Sequence, residues 1–326
     1  MPYTEVMANA TATRKPKSTG PKAVRTVRDA AEETTKSMLA HLEAGVVPWQ
    51  KPWSSASQIP LSLSSGKPYR GVNVFTLLIT GWTKGYTSSY WGTYKQISER
   101  GGQVRKGEKS AEVILWRPIE KTEKVDGKDT KKKILLMRLF HVFNVDQADW
   151  AEGARLPAVP EKADHDPIQD AEALVAEYVA NGPDVTYFGD RAFYRPVSDQ
   201  VVVPELADFE SAEHFYSTLY HELTHSTGHS SRLARDGIAQ GTFGAFGDKV
   251  YSNEELIAEM GAAMLCALAG INQAATAPAS AAYLAHWIDA LKGDKSLIIK
   301  AASAAQKAVD RIVGTTFPQD NGEEES

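Results

Sequence analysis

The stretch His221-Glu222-Leu223-Thr224-His225 constrains this chain more than any other. It reads H-E-x-x-H inside an apolar-periodic run that predicts a helix. Histidines at i and i+4 lie on one helix face, one turn apart, so both imidazoles can reach one metal ion. Glu222 follows the first of them and points beside it, where a carboxylate can take the proton of an attacking water. Two nitrogen ligands and a neighbouring base are the core of a metal-dependent peptidase site.

The flanking sequence supplies the expected setting. Arg191–Pro196 and Gln200–Pro204 read as two short strands around a Ser198-Asp199 turn. Asp208–Ser211 offers N-caps for a helix whose apolar positions run Phe215, Leu219, Leu223, and Gly228 can end it as C′ residue. Strand, turn and active-site helix is the order of a zincin-type peptidase. Further on, Asn253–Ala262 begins another helix, with Glu255 and Glu259 at i and i+4 on one face. One of them can be the third ligand and the other can hold a histidine Nδ1–H. We expect Glu255 as ligand and Glu259 as its support, with the reverse assignment as the alternative. The longer pattern H-E-x-x-H-x-x-G-x-x-H is broken, because Ser231 stands where the last histidine would be and His229 sits two residues early. His229 is therefore expected as a polar helix-end residue. Tyr251 and His229 are candidates for steadying an oxyanion. Two histidines and a glutamate with an open position favour zinc, with manganese as the alternative.

Charge divides the chain. Residues 1–150 hold 24 Lys/Arg against 14 Asp/Glu, and residues 151–326 hold 12 against 27. Such asymmetry points to a polyanion meeting the first half only. Six of the seven tryptophans also fall there: Trp49, Trp53, Trp82, Trp91, Trp116 and Trp150. Aromatic and basic residues interleave at Lys67–Gly71, Trp82–Tyr86 and Tyr90–Lys95. Unstacked bases sit on aromatic faces while Lys and Arg follow the phosphates, so the pattern favours single-stranded nucleic acid over duplex. Tyr69, Arg70, Trp82, Arg105 and Lys106 are the expected contacts; Trp49 and Trp53 are expected in the core. Gly101–Lys109 reads as a basic hairpin loop feeding a strand at Ala111–Trp116. Lys128 and Lys131–Lys133 read as a second hairpin loop before Ile134–Phe143.

The single cysteine, Cys266, permits no internal disulfide and suits a reducing cytosol. Its apolar run, Met260–Ile271, is too short to span a bilayer, and the N-terminus lacks an apolar signal-peptide core. A cytoplasmic protein without a membrane partner is expected.

Three N-terminal motifs carry a resemblance. Leu42–Trp53, Tyr69-Arg70-Gly71-Val72-Asn73 and Gly102–Glu108 resemble the N-terminal domain of ArdC-type antirestriction proteins, a domain similar to one in TraC-type plasmid primases. His221–His229 followed by Glu254–Ala262 resembles the zincin-like metallopeptidase domain of the same family. The resemblance spans about residues 25–315. It implies a protein of plasmids or other mobile elements that binds single-stranded DNA and shields incoming DNA from host restriction. The family pattern maps onto His221, Glu222 and His225. The third ligand stays open among Glu254, Glu255 and Glu259.

The expected fold is α+β. A flexible basic arm (1–24) precedes a small mixed-sheet single-stranded-DNA-binding domain (25–152) led by a helix over Asp29–Ala44, with Thr34, Met38, Leu39 and Leu42 inward. A Pro-rich linker (153–167) leads to a zincin-like domain (168–314), followed by an acidic tail (315–326). The Gly237–Gly247 segment, with four glycines, reads equally as a lid or as a loop. Two functions fit. One is a metal-dependent endopeptidase whose substrate, a host protein such as a restriction subunit, adds to an edge strand near Gln200–Val203. The other is a single-stranded-DNA-binding protein whose peptidase-like domain is a non-catalytic scaffold or interaction module.

Overall fold

The chain is described by a computed structural model covering residues 27–49, 59–125, 128–154, 156–157, 167–241, 249–271 and 281–315. The basic arm, Trp53, most of the linker and most of the acidic tail lie outside these residues.

Helix α1 (Val27–Glu43) carries Met38 and Leu42 fully buried and Leu39 partly so. The fourth inward position is Thr35 and not the expected Thr34. Its hydroxyl donates to the Lys295 carbonyl at 2.7 Å. That bond ties the first helix to the far end of the chain. Strand β1 (Leu61–Ser62) and helix α2 (Val72–Lys84) follow. Gly71 precedes α2 with φ 58 and ψ −136, a conformation that only glycine adopts without strain. Strand β2 (Tyr90–Gly92) leads into the short helix α3 (Tyr94–Glu99), which opens with a Thr93–Gln96 capping box. Strand β3 (Gly102–Val104) pairs antiparallel with β6 (Ala148–Trp150). So the first half of the expected Gly101–Lys109 loop is a strand, and only the residues after Val104 form a loop.

The long hairpin of β4 (Ala111–Val125) and β5 (Lys128–Asn144) pairs from Ala111–Val142 out to Val125–Lys128. Lys131–Lys133 therefore lie within strand β5, opposite Glu120–Thr122, and not in a loop. The sheet order is β1-β2-β5-β4, parallel at β1–β2 and antiparallel elsewhere, which makes it mixed as expected. Asn73, buried in α2, locks the helix to this sheet. Its amide donates to the Ile114 carbonyl at 2.7 Å and accepts from the Ile114 N–H at 2.8 Å.

The second half begins with α4 (Pro167–Asn181) and a three-stranded sheet of β7 (Asp184–Tyr187), β8 (Phe193–Arg195) and β9 (Gln200–Val203), in the order β7-β9-β8. The strands flank the expected Ser198-Asp199 turn. However, β9 is the central strand, paired on both sides, so it offers no edge for strand addition. Among the described residues the edges are β7 and β8. Four more helices follow among the described residues: α5 (Ala212–Ser226), α6 (Lys249–Leu268), α7 (Ala281–Gly293) and α8 (Leu297–Val313). Ser211 caps α5, accepting from the His214 N–H at 3.2 Å. No helix among the described residues is long and apolar enough to cross a membrane.

One hydrophobic cluster joins the two halves, running from Met38, Trp49, Phe75 and Ile114 to Tyr220, Leu265 and Ala305. Trp49, fully buried as expected, meets Trp287 of α7 edge-on with ring centroids 5.3 Å apart. Arg70 pairs with Asp310 of α8, and the Gly71 N–H donates to Gln306 at 3.0 Å.

The histidine-bearing helix α5 and the glutamate helix α6 approach closely because α6 has Gly261 at the crossing. A Cβ there would stand 2.6 Å from Thr224 Cγ2 and 2.7 Å from Thr224 Oγ1. Thr224 cannot swing away freely, because it is buried and its hydroxyl donates to the Tyr220 carbonyl at 2.7 Å. Gly261→Ala is expected to destabilise the protein by about 1–3 kcal/mol through overpacking. Gly293→Ala, where a Cβ would meet nothing within 4 Å, is expected to be neutral or slightly stabilising. Denaturant midpoints of the two variants check this; equal midpoints would remove the packing argument.

Candidate metal centre

The α5 face turned toward α6 presents His221 and His225, and their Nε2 atoms lie 3.0 Å apart. Glu255 of α6 faces both: Oε2 is 3.6 Å from His221 Nε2, and Oε1 is 3.5 Å from His225 Nε2. These three groups are the set among the described residues whose donor atoms could hold a metal ion, all within 4.8 Å of one another. Ligands about 2.0–2.1 Å from a tetrahedral zinc stand roughly 3.3–3.4 Å apart. The observed separations of 3.0, 3.5 and 3.6 Å, the last two to different oxygens of Glu255, are of the size a divalent cation needs.

The other ring nitrogens face carboxylates. His221 Nδ1 is 3.6 Å from Glu259 Oε1, and His225 Nδ1 is 3.2 Å from Glu254 Oε1. Each imidazole thus has a carboxylate beside its Nδ1, the arrangement that would turn Nε2 toward a metal. The three glutamates occupy three different places: Glu255 against both Nε2 atoms, Glu259 behind His221 and Glu254 behind His225. Glu254 is buried and shared with Arg235, whose Nε and terminal nitrogen donate to its two oxygens at 2.9 and 2.5 Å.

The field in this cluster is strong. Burial alone would depress the His225 pKa, but Glu254 and Glu255 outweigh it and push it up to about 10. His221 rises for the same reason, burial opposing and Glu255 prevailing. Glu255 is held well below the usual carboxylate range, the two imidazoles overcoming its burial. Glu222 behaves oppositely. It is buried, and desolvation pushes its carboxyl up against the pull of His221 and His225, while the Tyr194 backbone of β8 hydrogen bonds to it. A carboxyl with a raised pKa beside the ligand imidazoles can both accept and return a proton.

His229 points elsewhere. Its Nδ1 lies 2.8 Å from Ser231 Oγ and 4.0 Å from Asp199, outside the ligand set. Tyr251 is half-buried in the first turn of α6. Gly228 does follow the C-cap Thr227, with its N–H on the His225 carbonyl, but its φ is not positive. Space favours glycine here, since a Cβ would stand 3.0 Å from an Arg235 nitrogen and from Ile238, and these neighbours would have to give. Behind α5, Asp199 (φ 49) at the β8–β9 turn grips Arg232 and accepts from the Tyr194 hydroxyl at 2.8 Å. Arg232 Nε in turn donates to the Ser226 carbonyl at 2.8 Å. The roles of Arg235, Asp199 and Arg232 escape sequence reasoning, because no local pattern marks a contact made through a turn.

The expected nucleic-acid contacts are scattered. Trp82, 41% exposed, stands at the end of α2 with its ring 5.5 Å from that of His41. Lys106 is exposed on the loop after β3. Tyr69 is half-buried against the cluster of Leu77, Trp91 and Val113. Arg70 is engaged by Asp310. Arg105 holds its own loop, donating to the Asp146 carbonyl at 2.5 Å and reaching Glu108 at 3.3 Å. Tyr94, 50% exposed and next to Lys95, is an open aromatic absent from the expected contacts.

Comparison with known proteins gives the same two-part picture. Residues 28–143 match the N-terminal domain of anti-restriction factor ArdC, and residues 169–304 match the zincin-like metallopeptidase family. The uncharacterized protein y4eC of Sinorhizobium fredii is 35% identical over 294 residues, 88% of this chain and 92% of its own. Two DNA primases TraC of Escherichia coli are 34% and 35% identical over 302 residues, of which the chain spans only 20% and 27% of the whole length. Crystal structures of the antirestriction ArdC protein from plasmid R388, metal-free and Mn(II)-bound, are 40% identical to this chain with a TM-score of 0.66. They match 87% and 88% of this chain and 96% and 99% of their own. With an ArdC N-terminal domain, a zincin-like domain carrying the His221–Glu255 cluster, and end-to-end similarity to ArdC itself, the chain belongs to the ArdC family of antirestriction proteins.

Proposed function

We propose that this protein binds single-stranded DNA through its N-terminal half and carries a metal-dependent peptidase centre in its C-terminal half, together protecting incoming DNA from host restriction. The observation that carries the reading is the convergence of His221, His225 and Glu255 beside a buried Glu222 in a chain of the ArdC family. His221, His225 and Glu255 are the ligands, with Glu259 and Glu254 orienting the two imidazoles. Zinc and manganese both suit the donor set, and a related ArdC has been crystallised with Mn(II). A bound divalent cation supplies Lewis acidity toward water and a peptide carbonyl. Glu222 takes the proton of the attacking water and passes it to the departing amine. Strand β8 is the sheet edge beside Glu222, and an extended host-protein segment, such as part of a restriction subunit, adds there.

Metal content separates ligands from base. His221→Ala is expected to lose the ion, whereas Glu222→Ala retains it. Glu255→Ala lowers affinity more than Glu259→Ala. Elemental analysis after purification in zinc or manganese checks this, and wild-type protein that takes up neither ion would end the reading.

For DNA, the full chain is expected to prefer single strands to duplex and to weaken steeply with salt. Trp82→Ala should cost about 1–3 kcal/mol of binding with the melting temperature unchanged. Lys106→Ala should reduce the salt slope by about 0.7, the loss of one phosphate contact. Arg70→Ala should lower stability first, because its partner is Asp310. Anisotropy titrations at several salt concentrations, paired with thermal melts, test all three.

A restriction-protection assay with wild type and Glu222→Gln then connects site to function. Loss of protection in the variant supports cleavage of a host protein. Full protection by the variant assigns the effect to DNA binding, with the peptidase-like domain as a scaffold.

A further inference from the structure

Arg235 lies in the segment that connects the two metal helices, and its guanidinium is nearly buried against the end of α5. Beyond its two bonds to Glu254, it donates to Thr227 Oγ1 at 2.6 Å, to the Thr224 carbonyl at 2.8 Å and to the His225 carbonyl at 3.3 Å. It thus holds the backbone of the ligand helix and the Glu254 carboxylate at once. Glu254, 3% exposed, is in turn 3.2 Å from His225 Nδ1.

Two physical arguments give the arrangement a purpose. The first is geometric: Arg235 grips the Glu254 carboxylate and the carbonyls of Thr224 and His225 together, so the carboxylate and the turn of α5 that bears His225 are held in one register. The bidentate pair fixes where the Glu254 oxygens lie, and Oε1, 3.2 Å from His225 Nδ1, sets the orientation of that ring. The second argument is space. Gly228 lies where a Cβ would stand 3.0 Å from an Arg235 nitrogen, so the seat of the guanidinium depends on that glycine. Because Gly228 has no positive φ, the preference for a glycine there is independent of backbone conformation.

We propose that Arg235 is a positioning residue of the metal centre, acting through Glu254 to present His225 Nε2 as a ligand, with Gly228 making room for it. This inference builds on the proposed ligand set of His221, His225 and Glu255.

The test is a double-mutant cycle on metal affinity. Zn2+ is titrated into the full-length chain against a chromophoric chelator, at a temperature well below unfolding, for wild type, Arg235→Gln, Glu254→Gln and the double variant. Each single change is expected to weaken Zn2+ binding about 10- to 100-fold. The double variant should bind no more weakly than the weaker single one, because the two residues act in series. Gly228→Ala, which crowds the guanidinium, should weaken Zn2+ binding in the same direction. Unchanged affinity in Arg235→Gln overturns the proposal, and so do fully additive losses, which would mark a merely structural role. If Arg235→Gln does not fold, Arg235→Lys replaces it in the same cycle; it keeps the charge with fewer donors, and equal affinity to wild type there also overturns the proposal. A wild-type chain that binds no Zn2+ would instead end the proposed ligand set itself, so the two failures are distinguishable.

Discussion

The close approach of α5 and α6 is the contact on which the rest of this site depends. His221 and His225 share a face by helical spacing alone, and so do Glu255 and Glu259. A metal-binding set arises only when the two faces meet, and Gly261 against Thr224 sets how near they come. At that distance Glu255 reaches both Nε2 atoms, while Glu254 and Glu259 reach the opposite nitrogens. Apolar burial holds the pair together: Leu256, Ile257, Met260, Met264 and Leu265 of α6 are fully buried. The charged cluster itself contributes little net stability, since desolvating its members opposes their mutual attraction. Its consequence is electrostatic, raising both imidazole pKa values and depressing that of Glu255.

A second constraint is the junction between the halves. Charge composition separates them sharply, yet one hydrophobic cluster runs through both. The Tyr69–Asn73 motif explains part of this. Arg70 pairs with Asp310, the Gly71 N–H meets Gln306, and Asn73 clamps Ile114. Helix α1 adds Thr35 on the Lys295 carbonyl, and Trp49, beyond the end of that helix, packs against Trp287. A residue pattern expected to meet DNA is thus spent largely on fold and on packing between the two halves. Among the aromatics proposed to meet DNA, Trp82 is the open one.

The hairpin β4–β5 and the Gly102–Val104 strand show where local patterns mislead. Lys131–Lys133 look like loop because they are polar, but a ladder satisfies backbone groups whatever the side chains are. Gly102 looks like loop because it is glycine. It is a strand residue, paired with Trp150, and it is glycine because a Cβ there would stand 2.7 Å from Ile97 and Trp150.

Those cases mark the division between what was legible in the residues and what was not. Helix periods and caps placed α1, α5 and the start of α6 to within a few residues, and the H-E-x-x-H spacing set two imidazoles and a carboxylate on one helix, because these are properties of neighbours along the chain. Which glutamate faces which nitrogen, why space favours glycine at Gly228, that β9 is central, and that Arg70 belongs to Asp310 all depend on contacts between segments far apart in sequence. Periodicity assigns a residue to a face but carries no information about the element that comes to lie against that face; only the packing of the whole chain decides it.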